Sequence, residues 1–337
     1  MKNILSKFPR TKVVHSPTPL EYMPNLSRHF GDYNLYVKRD DCTGLGMGGN
    51  KVRQLEFYFG EAISQGCDTV LITGAVQSNY MRIAAAFARK CKMECHLQLE
   101  NRVANKPEEY HNSGNVLLYK IFGANLHYYP DGEDEEGADK QLAEISDLLR
   151  VQGKKPYIIP LTLSNKPKGA LGYVDAAFEL DQQFKEKNLT PSAVVVPSGS
   201  SYTHTGLLTG LRLSDNHVPV IGACVRRNAE QQNARVYQCS QNLCNNLLET
   251  PNVVSKSDIQ LEDFCLDGGY GNVTNLTKNA IELLAQKEGL LSDPVYSAKA
   301  FSCLFGLIEK GHFSKGDDIV IIHTGGTPAL FAYYKLF

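Results

Sequence analysis

A lysine at the end of a glycine-rich stretch is the first residue of this sequence that suggests chemistry. Asn50 and Lys51 follow four glycines within positions 44–49 and stand at the predicted start of a helix. The start of a helix favours anions, so a lysine is a poor structural choice there. The residue is either a surface lysine after a flexible turn or an amine with a lowered pKa that can form a Schiff base.

Three further segments join a buried strand to polar residues that begin a helix, at 73–82, 196–207 and 321–331. Open α/β sheets bind ligands at the carboxyl ends of their strands, and helix starts offer free N–H groups to anions. The Ser, Gly and Thr residues at 198–203 have the general form of a phosphate cradle. Because a reactive lysine accompanies this cradle and no P-loop is present, the sequence indicates an aldehyde phosphate cofactor.

The elements that must position these residues follow from apolar periodicity. Five segments are apolar at nearly every position, which is typical of strands buried on both faces: 69–73, 157–161, 193–197, 218–225 and 318–323. Helical periodicity predicts helices at 51–64, 78–91, 114–122, 138–152, 168–187, 203–213, 227–248, 276–288, 296–310 and 327–335. Strands that alternate with helices of this length form a mostly parallel sheet, so the predicted fold class is α/β.

Composition excludes several classes of protein. The 337 residues carry 35 Lys+Arg against 36 Asp+Glu, and this balance lacks the positive charge of a nucleic-acid-binding protein. No apolar run approaches the roughly 18 residues that span a bilayer, and the start lacks a signal-peptide core, so we expect no membrane partner and a cytoplasmic location.

Two short clusters have simple structural interpretations. The nine cysteines fit reduced thiols, and Cys91 and Cys95 lack the second pair that a zinc site needs, so we predict no metal. The acidic run Glu133 to Glu136 precedes a predicted helix, where carboxylates favour the helix dipole, and we interpret it as a solvated surface.

Together these segments resemble the pyridoxal-phosphate enzymes of the tryptophan synthase β type, fold type II, and within them the family of D-cysteine desulfhydrase and 1-aminocyclopropane-1-carboxylate deaminase. The matching motifs run in order along nearly the whole chain, at 17–21, 38–41, 48–51, 77–79, 114–118, 169–174, 293–296 and 323–326. The resemblance implies two open, twisted, mostly parallel sheets flanked by helices. It also implies a large cofactor-binding domain of residues 1–45 and 161–337, a small inserted domain of residues 46–160, and a homodimer.

The resemblance also assigns roles to residues. It implies that Lys51 binds pyridoxal 5'-phosphate covalently. The other implied cofactor contacts are Asn50, Asn79 on the ring oxygen, Ser198, Gly199, Ser200, Ser201, Tyr202 and Thr203 around the phosphate, and Thr324 beside the pyridine nitrogen. The implied catalytic residues are Lys51, Ser78, Tyr270 and Tyr296, and the implied substrate contacts are Ser78, Asn79, Ser164, Ser297 and Thr327.

The sequence departs from the family pattern near the predicted site. Tyr80 replaces a histidine, Ser201 and Tyr202 replace two glycines of the phosphate loop, and Thr162 and Leu163 replace another glycine pair. Glycine in such loops supplies positive φ and close backbone approach, so side chains there cost strain or space. We therefore expect the Tyr202 phenol either to point out of the phosphate cradle or to cover it.

Three functions remain open. Ser297 and Thr327 stand where the deaminases have Glu and Leu, so the chain resembles the desulfhydrase branch, which converts D-cysteine to pyruvate, hydrogen sulfide and ammonia. The first alternative is a deaminase, or another pyridoxal-phosphate enzyme acting on a β-substituted amino acid, such as one with a sulfonate leaving group, or a racemase. The second is a family member that binds the cofactor without turnover.

Overall fold

The computed structural model describes residues 2–103, 106–160, 163–164 and 166–337. Numbered along the chain, the strands within these residues are β1 Leu20–Tyr22, β2 Asn34–Lys38, β3 Thr69–Ala75, β4 Glu94–Glu100, β5 Asn125–Tyr129, β6 Pro156–Ile159, β7 Ala193–Ser198, β8 Val220–Cys224, β9 Ile259–Glu262 and β10 Asp318–Ile322. They form a six-stranded sheet in the order β1-β2-β10-β7-β8-β9 and a four-stranded sheet in the order β5-β4-β3-β6. Only β1 runs antiparallel to its neighbour among these strands. The predicted α/β class with two mostly parallel sheets is confirmed.

The helices cover the two sheets. They are α1 Pro24–Phe30, α2 Lys51–Ser64, α3 Asn79–Lys90, α4 Glu108–Asn112, α5 Asn115–Ile121, α6 Glu135–Val151, α7 Lys168–Lys187, α8 Tyr202–Leu213, α9 Ala229–Leu243, α10 Asn275–Glu288 and α11 Ser297–Glu309. The predicted bounds of α2 and α7 are correct to the residue. None of the helices in the described ranges has both the length and the apolar character needed to cross a bilayer.

Two predicted helices differ from the structure in helix type, whereas the others differ at most by a few residues at their ends. The segment predicted at 227–248 is α-helical only to Leu243 and continues as a π-helical turn over Cys244–Leu248. The segment predicted at 327–335 is a 3-10 helix over Thr327–Leu336 rather than an α-helix. Ala329 and Ala332 are buried in it, and their spacing of three matches the 3-10 repeat.

Strand β4 is an element that the apolar pattern did not predict. Its sequence alternates polar and apolar residues, yet Gln98 and Glu100 are buried along with Leu97 and Leu99. Gln98 donates to the carbonyl of Ala138, and Thr73 donates to the Glu100 carboxylate. Because β4 lies between β3 and β5, its polar side chains are buried and bonded rather than solvated, so a search for continuous apolar runs misses it.

The two sheets draw on different parts of the sequence. The strands of the small sheet lie between residues 69 and 159, and those of the large sheet lie on either side of this range. The domain boundaries 1–45 and 161–337 against 46–160 stay a prediction. Leu161, Thr162 and Asn165 lie outside the described residues.

Helix α2, which begins at Lys51, is packed on two faces. Its apolar face of Val52, Leu55, Phe59 and Ala62 is fully buried. On another face the Arg53 guanidinium is fully buried and hydrogen-bonded to carboxylates that lie far from it in the sequence. This anchoring holds the first turn of α2 in one position.

Candidate active site

The loop before Lys51 requires glycine. Gly48 has φ +68°, and a Cβ there would lie 1.9 Å from the carbonyl oxygen of Asp41. The next residue, Gly49, is bonded through its N–H to the Thr43 hydroxyl at 2.7 Å. The chain therefore folds tightly over the Asp41 loop, and this turn sets the position at which Lys51 begins α2.

Lys51 lies where its amine is partly withdrawn from water. Its Nζ donates to Oε1 of Gln54 at 3.2 Å and lies 5.1 Å from the centre of the Tyr80 ring. Burial lowers the pKa of Lys51 to about 8. A larger fraction of neutral, nucleophilic amine is therefore present near neutral pH than on an exposed lysine.

Ser78 and Asn79 stand at the junction of β3 and α3. Ser78 is the N-cap of α3, and its Oγ accepts a hydrogen bond from the backbone N–H of Met81 at 3.3 Å. Asn79 is held by Asn115, whose side-chain amide donates to Oδ1 of Asn79 at 2.9 Å. Both residues line the same cleft as Lys51, where the start of α3 favours an anionic group such as a substrate carboxylate.

The predicted phosphate cradle lies at the start of α8. Thr203 Oγ1 accepts hydrogen bonds from the side-chain amides of Asn50 and Gln54, both at 2.8 Å. A hydroxyl whose acceptor positions are filled in this way still has a proton to donate. With the N–H groups at the start of α8, these donors suit a phosphate dianion.

Ser201, one of the departures from glycine, carries the strain that the sequence predicts. Its φ is +83° at the N-cap of α8, in a region that disfavours a side chain. We expect Ser201→Gly to raise the free energy of unfolding by about 1 kcal/mol, measured by denaturant titration. Ser200, which lacks a positive φ, provides the control, and Ser200→Gly should lower stability slightly. Equal effects of the two substitutions would contradict this prediction.

The Tyr202 phenol points out of the cradle. Tyr202 is only 2% exposed, belongs to the core that includes Tyr58 and Tyr80, and does not line the cleft. A Cβ on Gly169 of α7 would approach its ring to 3.0 Å, so the ring packs closely against that helix. Only the backbone of Tyr202 is left for the predicted phosphate contact.

Thr324 and Ser297 form a pair of neighbouring hydroxyl groups, between the end of β10 and the start of α11. Their hydroxyl oxygens lie 3.1 Å apart, and Ser297 donates to the carbonyl of Gly325 at 2.8 Å. Thr324 follows β10 and lines the cleft, whereas Ser297 is fully buried behind it at the start of α11. Ser297 therefore reaches the cleft only through Thr324.

Tyr270 and Tyr296 meet across 26 residues of sequence. Their phenol oxygens are 2.8 Å apart, and both line the cleft. Burial raises the pKa of both tyrosines, so the pair stays protonated near neutral pH. Two protonated phenols in hydrogen-bond contact can pass a proton to a leaving group.

Most of the predicted site residues converge on one cleft of about 1070 Å³, measured with its open mouth. Those that line it are Asn50, Lys51, Ser78, Asn79, Gly199, Ser200, Ser201, Thr203, Tyr270, Tyr296 and Thr324. The remaining predicted residues do not. Ser198 is bonded to His204 and Gln232, Ser164 accepts from the N–H of Lys166, and Thr327 donates to the carbonyl of Leu291.

Sequence reasoning missed the charged residues of the cleft. Arg102, Arg226, Arg227 and Arg235 line it together with Glu100, Glu135 and Asp139. Arg226 and Arg227 directly follow the predicted strand 218–225. Because open α/β sheets bind ligands at the carboxyl ends of their strands, this position was a signal in the sequence for both arginines. Glu135 belongs to the acidic run interpreted as solvated surface, an interpretation that was wrong for this residue, because it pairs with Arg226 and Arg227.

Metal chemistry has no candidate site in the part of the chain that the structure describes, where no group of three or more His, Cys, Asp or Glu side chains could hold an ion.

The chain is similar to known proteins in both sequence and structure. Residues 12–325 match the family model described as pyridoxal-phosphate dependent enzyme. The chain is 41% identical over 330 residues, 98% of both chains, to a D-cysteine desulfhydrase of Klebsiella pneumoniae, and equally to one of Salmonella choleraesuis. Among solved structures, an ACC deaminase homologue is 35% identical, with a TM-score of 0.87 over 99% of this chain and 97% of the other.

A more distant solved structure supports the fold alone. The L-serine ammonia-lyase of Rhizomucor miehei is 18% identical, with a TM-score of 0.68 over 96% of this chain and 99% of that one. The family match, by contrast, spans nearly the whole chain and includes Lys51, the start of α8 and Thr324. This chain therefore belongs to the family of pyridoxal-phosphate dependent enzymes.

Proposed function

We propose that this enzyme is a β-eliminating lyase that converts D-cysteine and water to pyruvate, hydrogen sulfide and ammonia. One observation carries the proposal: an amine with a pKa of about 8, a cradle for a phosphate and a pair of protonated phenols line one cleft. The 41% identity to D-cysteine desulfhydrases over 98% of both chains supports the substrate.

The residues of the cleft fit pyridoxal phosphate. Lys51 would bind it covalently, and the hydroxyl of Thr203 with the N–H groups of residues 199–203 would hold its phosphate. Asn79 and Thr324 would flank the ring. When bound, pyridoxal phosphate withdraws electrons from the α-carbon of an amino acid and so acidifies its α-proton. Because Thr324 offers the ring a hydroxyl rather than a carboxylate, this site suits elimination better than transamination.

The chain's own groups supply binding and proton transfer. Ser78 and Asn79, at the start of α3, would hold the substrate carboxylate. The amine of Lys51, displaced by the substrate amine, would remove the α-proton, for which a pKa of about 8 is suitable near neutral pH. The phenol pair of Tyr270 and Tyr296 would protonate the departing sulfur.

Ser297 and Thr327 argue for the desulfhydrase branch. We expect kcat/KM for D-cysteine to exceed that for 1-aminocyclopropane-1-carboxylate at least about tenfold, because a hydroxyl at each position replaces the Glu and Leu of the deaminases. The measurement compares pyruvate and sulfide from D-cysteine with 2-oxobutyrate from the cyclopropane. L-cysteine and cysteate complete the screen.

Each alternative predicts a different result. Preference for the cyclopropane would identify a deaminase, for which the 35% identity to an ACC deaminase homologue is the supporting observation. A protein that takes on the yellow colour of bound cofactor but turns over none of these substrates would be a non-catalytic binder.

We also propose that the protein forms a homodimer and is located in the cytoplasm. Leu117 and Ile121 of α5 expose large apolar side chains, as do Phe331 and Tyr334 of the 3-10 helix. Ser113 donates to the carbonyl of Phe331, so these segments are neighbours and could form one apolar interface. Analytical ultracentrifugation of the wild type and of Ile121→Glu tests the dimer, and cell fractionation tests the location.

A further inference from the structure

Four arginines in the cleft have no role in the chemistry above. We propose that Arg226, Arg227 and Arg235, supported by Arg102, form an oxyanion subsite that binds a second negative group, a carboxylate, sulfonate or phosphate, on the β-carbon of an amino-acid ligand. The inference rests on the proposed function only in placing the α-amino end of that ligand at Lys51.

The arginines lie between the reacting residues and solvent. All four line the inner cleft and also a second cavity, which is bounded by the exposed residues Gln231, Ala234 and Gln238 and therefore opens outward. Tyr270 lines both cavities. A β-substituent that extends from Lys51 past the phenol pair would thus meet the guanidinium groups.

Positive charge exceeds negative charge in both cavities. Apart from Lys51, which the proposed function assigns to the cofactor, the described lining of the inner cleft has four arginines against the carboxylates of Glu100, Glu135 and Asp139. The outer cavity has the same four arginines against Glu133 alone. Both cavities are therefore complementary to an anion.

Arg102 is paired with Glu100, but the carboxylates that face Arg226 and Arg227 are shared or exposed. Arg226 and Arg227 share Glu135, at 3.1 and 3.2 Å, and the second partner of Arg226 is Glu133, at 3.5 Å and 81% exposed. The Nε of Arg235 is buried and makes no hydrogen bond within the described residues. Burial, together with the charges of Arg235 and Arg226, lowers the pKa of Arg227 to about 10. An added oxyanion would relieve this repulsion and fill the unused donor.

Guanidinium groups suit this ligand chemistry. Their planar N–H donors match the paired oxygens of a carboxylate, sulfonate or phosphate, and removal from water strengthens the bond. The small thiol of D-cysteine requires no such group. The subsite therefore extends the range of ligands toward amino acids with an anionic β-substituent.

Aspartate and asparagine provide a matched test, because they have the same shape, differ in charge and carry no β-leaving group. Dissociation constants of both, as D- and L-forms, are measured on the holoenzyme from the absorbance of the bound cofactor. We expect one enantiomer of aspartate to bind at least about tenfold more tightly than its asparagine counterpart. That ratio should fall about tenfold in Arg227→Gln and in Arg235→Gln, recover in part in Arg227→Lys, and persist in the surface control Arg150→Gln, whose side chain is 57% exposed.

Three outcomes would overturn the subsite. Equal affinity for aspartate and asparagine in the wild type is the first. The second is an equal loss of apoprotein affinity for pyridoxal phosphate in Arg227→Gln and Arg235→Gln, which would assign these arginines to the cofactor phosphate. The third is tight binding of sodium sulfate alone without preference for aspartate, which would indicate a site for free inorganic anions. Turnover of D-cysteine is measured separately, so failure of the lyase proposal and failure of the subsite are distinguishable.

Discussion

Lys51→Ala is expected to abolish covalent attachment of pyridoxal phosphate and to lower kcat/KM for D-cysteine by at least about 10³-fold, because it removes both the attachment point and the proposed base. Within the described residues the side chain makes one hydrogen bond, to Gln54, and a contact with the Tyr80 ring, so its loss should leave the fold intact. Circular dichroism checks the fold, and steady-state kinetics measure the loss.

Borohydride reduction of the wild type, followed by peptide mapping, locates the attachment point independently. We expect the phosphopyridoxyl adduct on Lys51. Lys315→Ala, at a side chain that is 78% exposed and paired with Asp32, serves as the control and should retain full activity. Recovery of the adduct on a different lysine would refute the assignment.

Arg53→Met is expected to lower the free energy of unfolding by about 3 to 5 kcal/mol, because it removes the guanidinium that pairs with the buried carboxylate of Asp40 and the largely buried carboxylate of Glu179. The Arg53 guanidinium is fully buried and donates to Asp40 at 3.0 and 3.1 Å and to Glu179 at 2.9 and 3.1 Å. Denaturant titration measures the change. The exposed pair of Arg150 and Asp147 provides the control, and Arg150→Met should cost less than about 1 kcal/mol.

The effect of Arg53→Met should depend on pH. Burial alone would raise the pKa of Asp40 and Glu179, but the charges of Arg53 and Lys38 hold both below their usual values. A lowered carboxyl pKa contributes stability above the unfolded-state pKa of about 4, and this stability is lost as the pH falls through the folded-state value. The difference between wild type and variant should therefore be largest near pH 7 and shrink toward pH 3. A difference that is independent of pH would show that the ion pairs are not its cause.

The elements predicted correctly, and the residues that were predicted to meet and do line one cleft, are those that depend on local sequence. Strand β7 is apolar at consecutive positions and is followed at once by the polar turn at 198–203, so the junction proposed as the phosphate cradle is visible in one short segment. Lys51, which directly follows its glycines, and Ser78, which follows β3, are likewise visible in short segments of the sequence. Because parallel strands present their carboxyl ends at one edge, such local signals are enough to predict that these residues meet.

Long-range burial explains what could not be predicted. Strand β4 has an alternating pattern and a buried Glu100, which pairs with Arg102 in the cleft. Glu135 lies at the start of α6, next to the small sheet. In the sequence it has the pattern of an ordinary acidic residue in the first turn of a helix. It becomes a cleft residue only because Arg226 and Arg227, about 90 residues away in the chain, are brought against it.

The sequence by itself therefore determined the α/β class, the family, and the strand-to-helix junctions at which Lys51, Ser78 and Thr203 stand, because strand burial, turn chemistry and helix capping are short-range properties. Only the tertiary structure decided that the Tyr202 phenol leaves the cradle, that Tyr270 and Tyr296 share a hydrogen bond, and that four arginines exceed the carboxylates around them. These features depend on contacts between segments that are far apart in the chain. A local sequence pattern does not show how such segments pack or which polar groups they remove from water together.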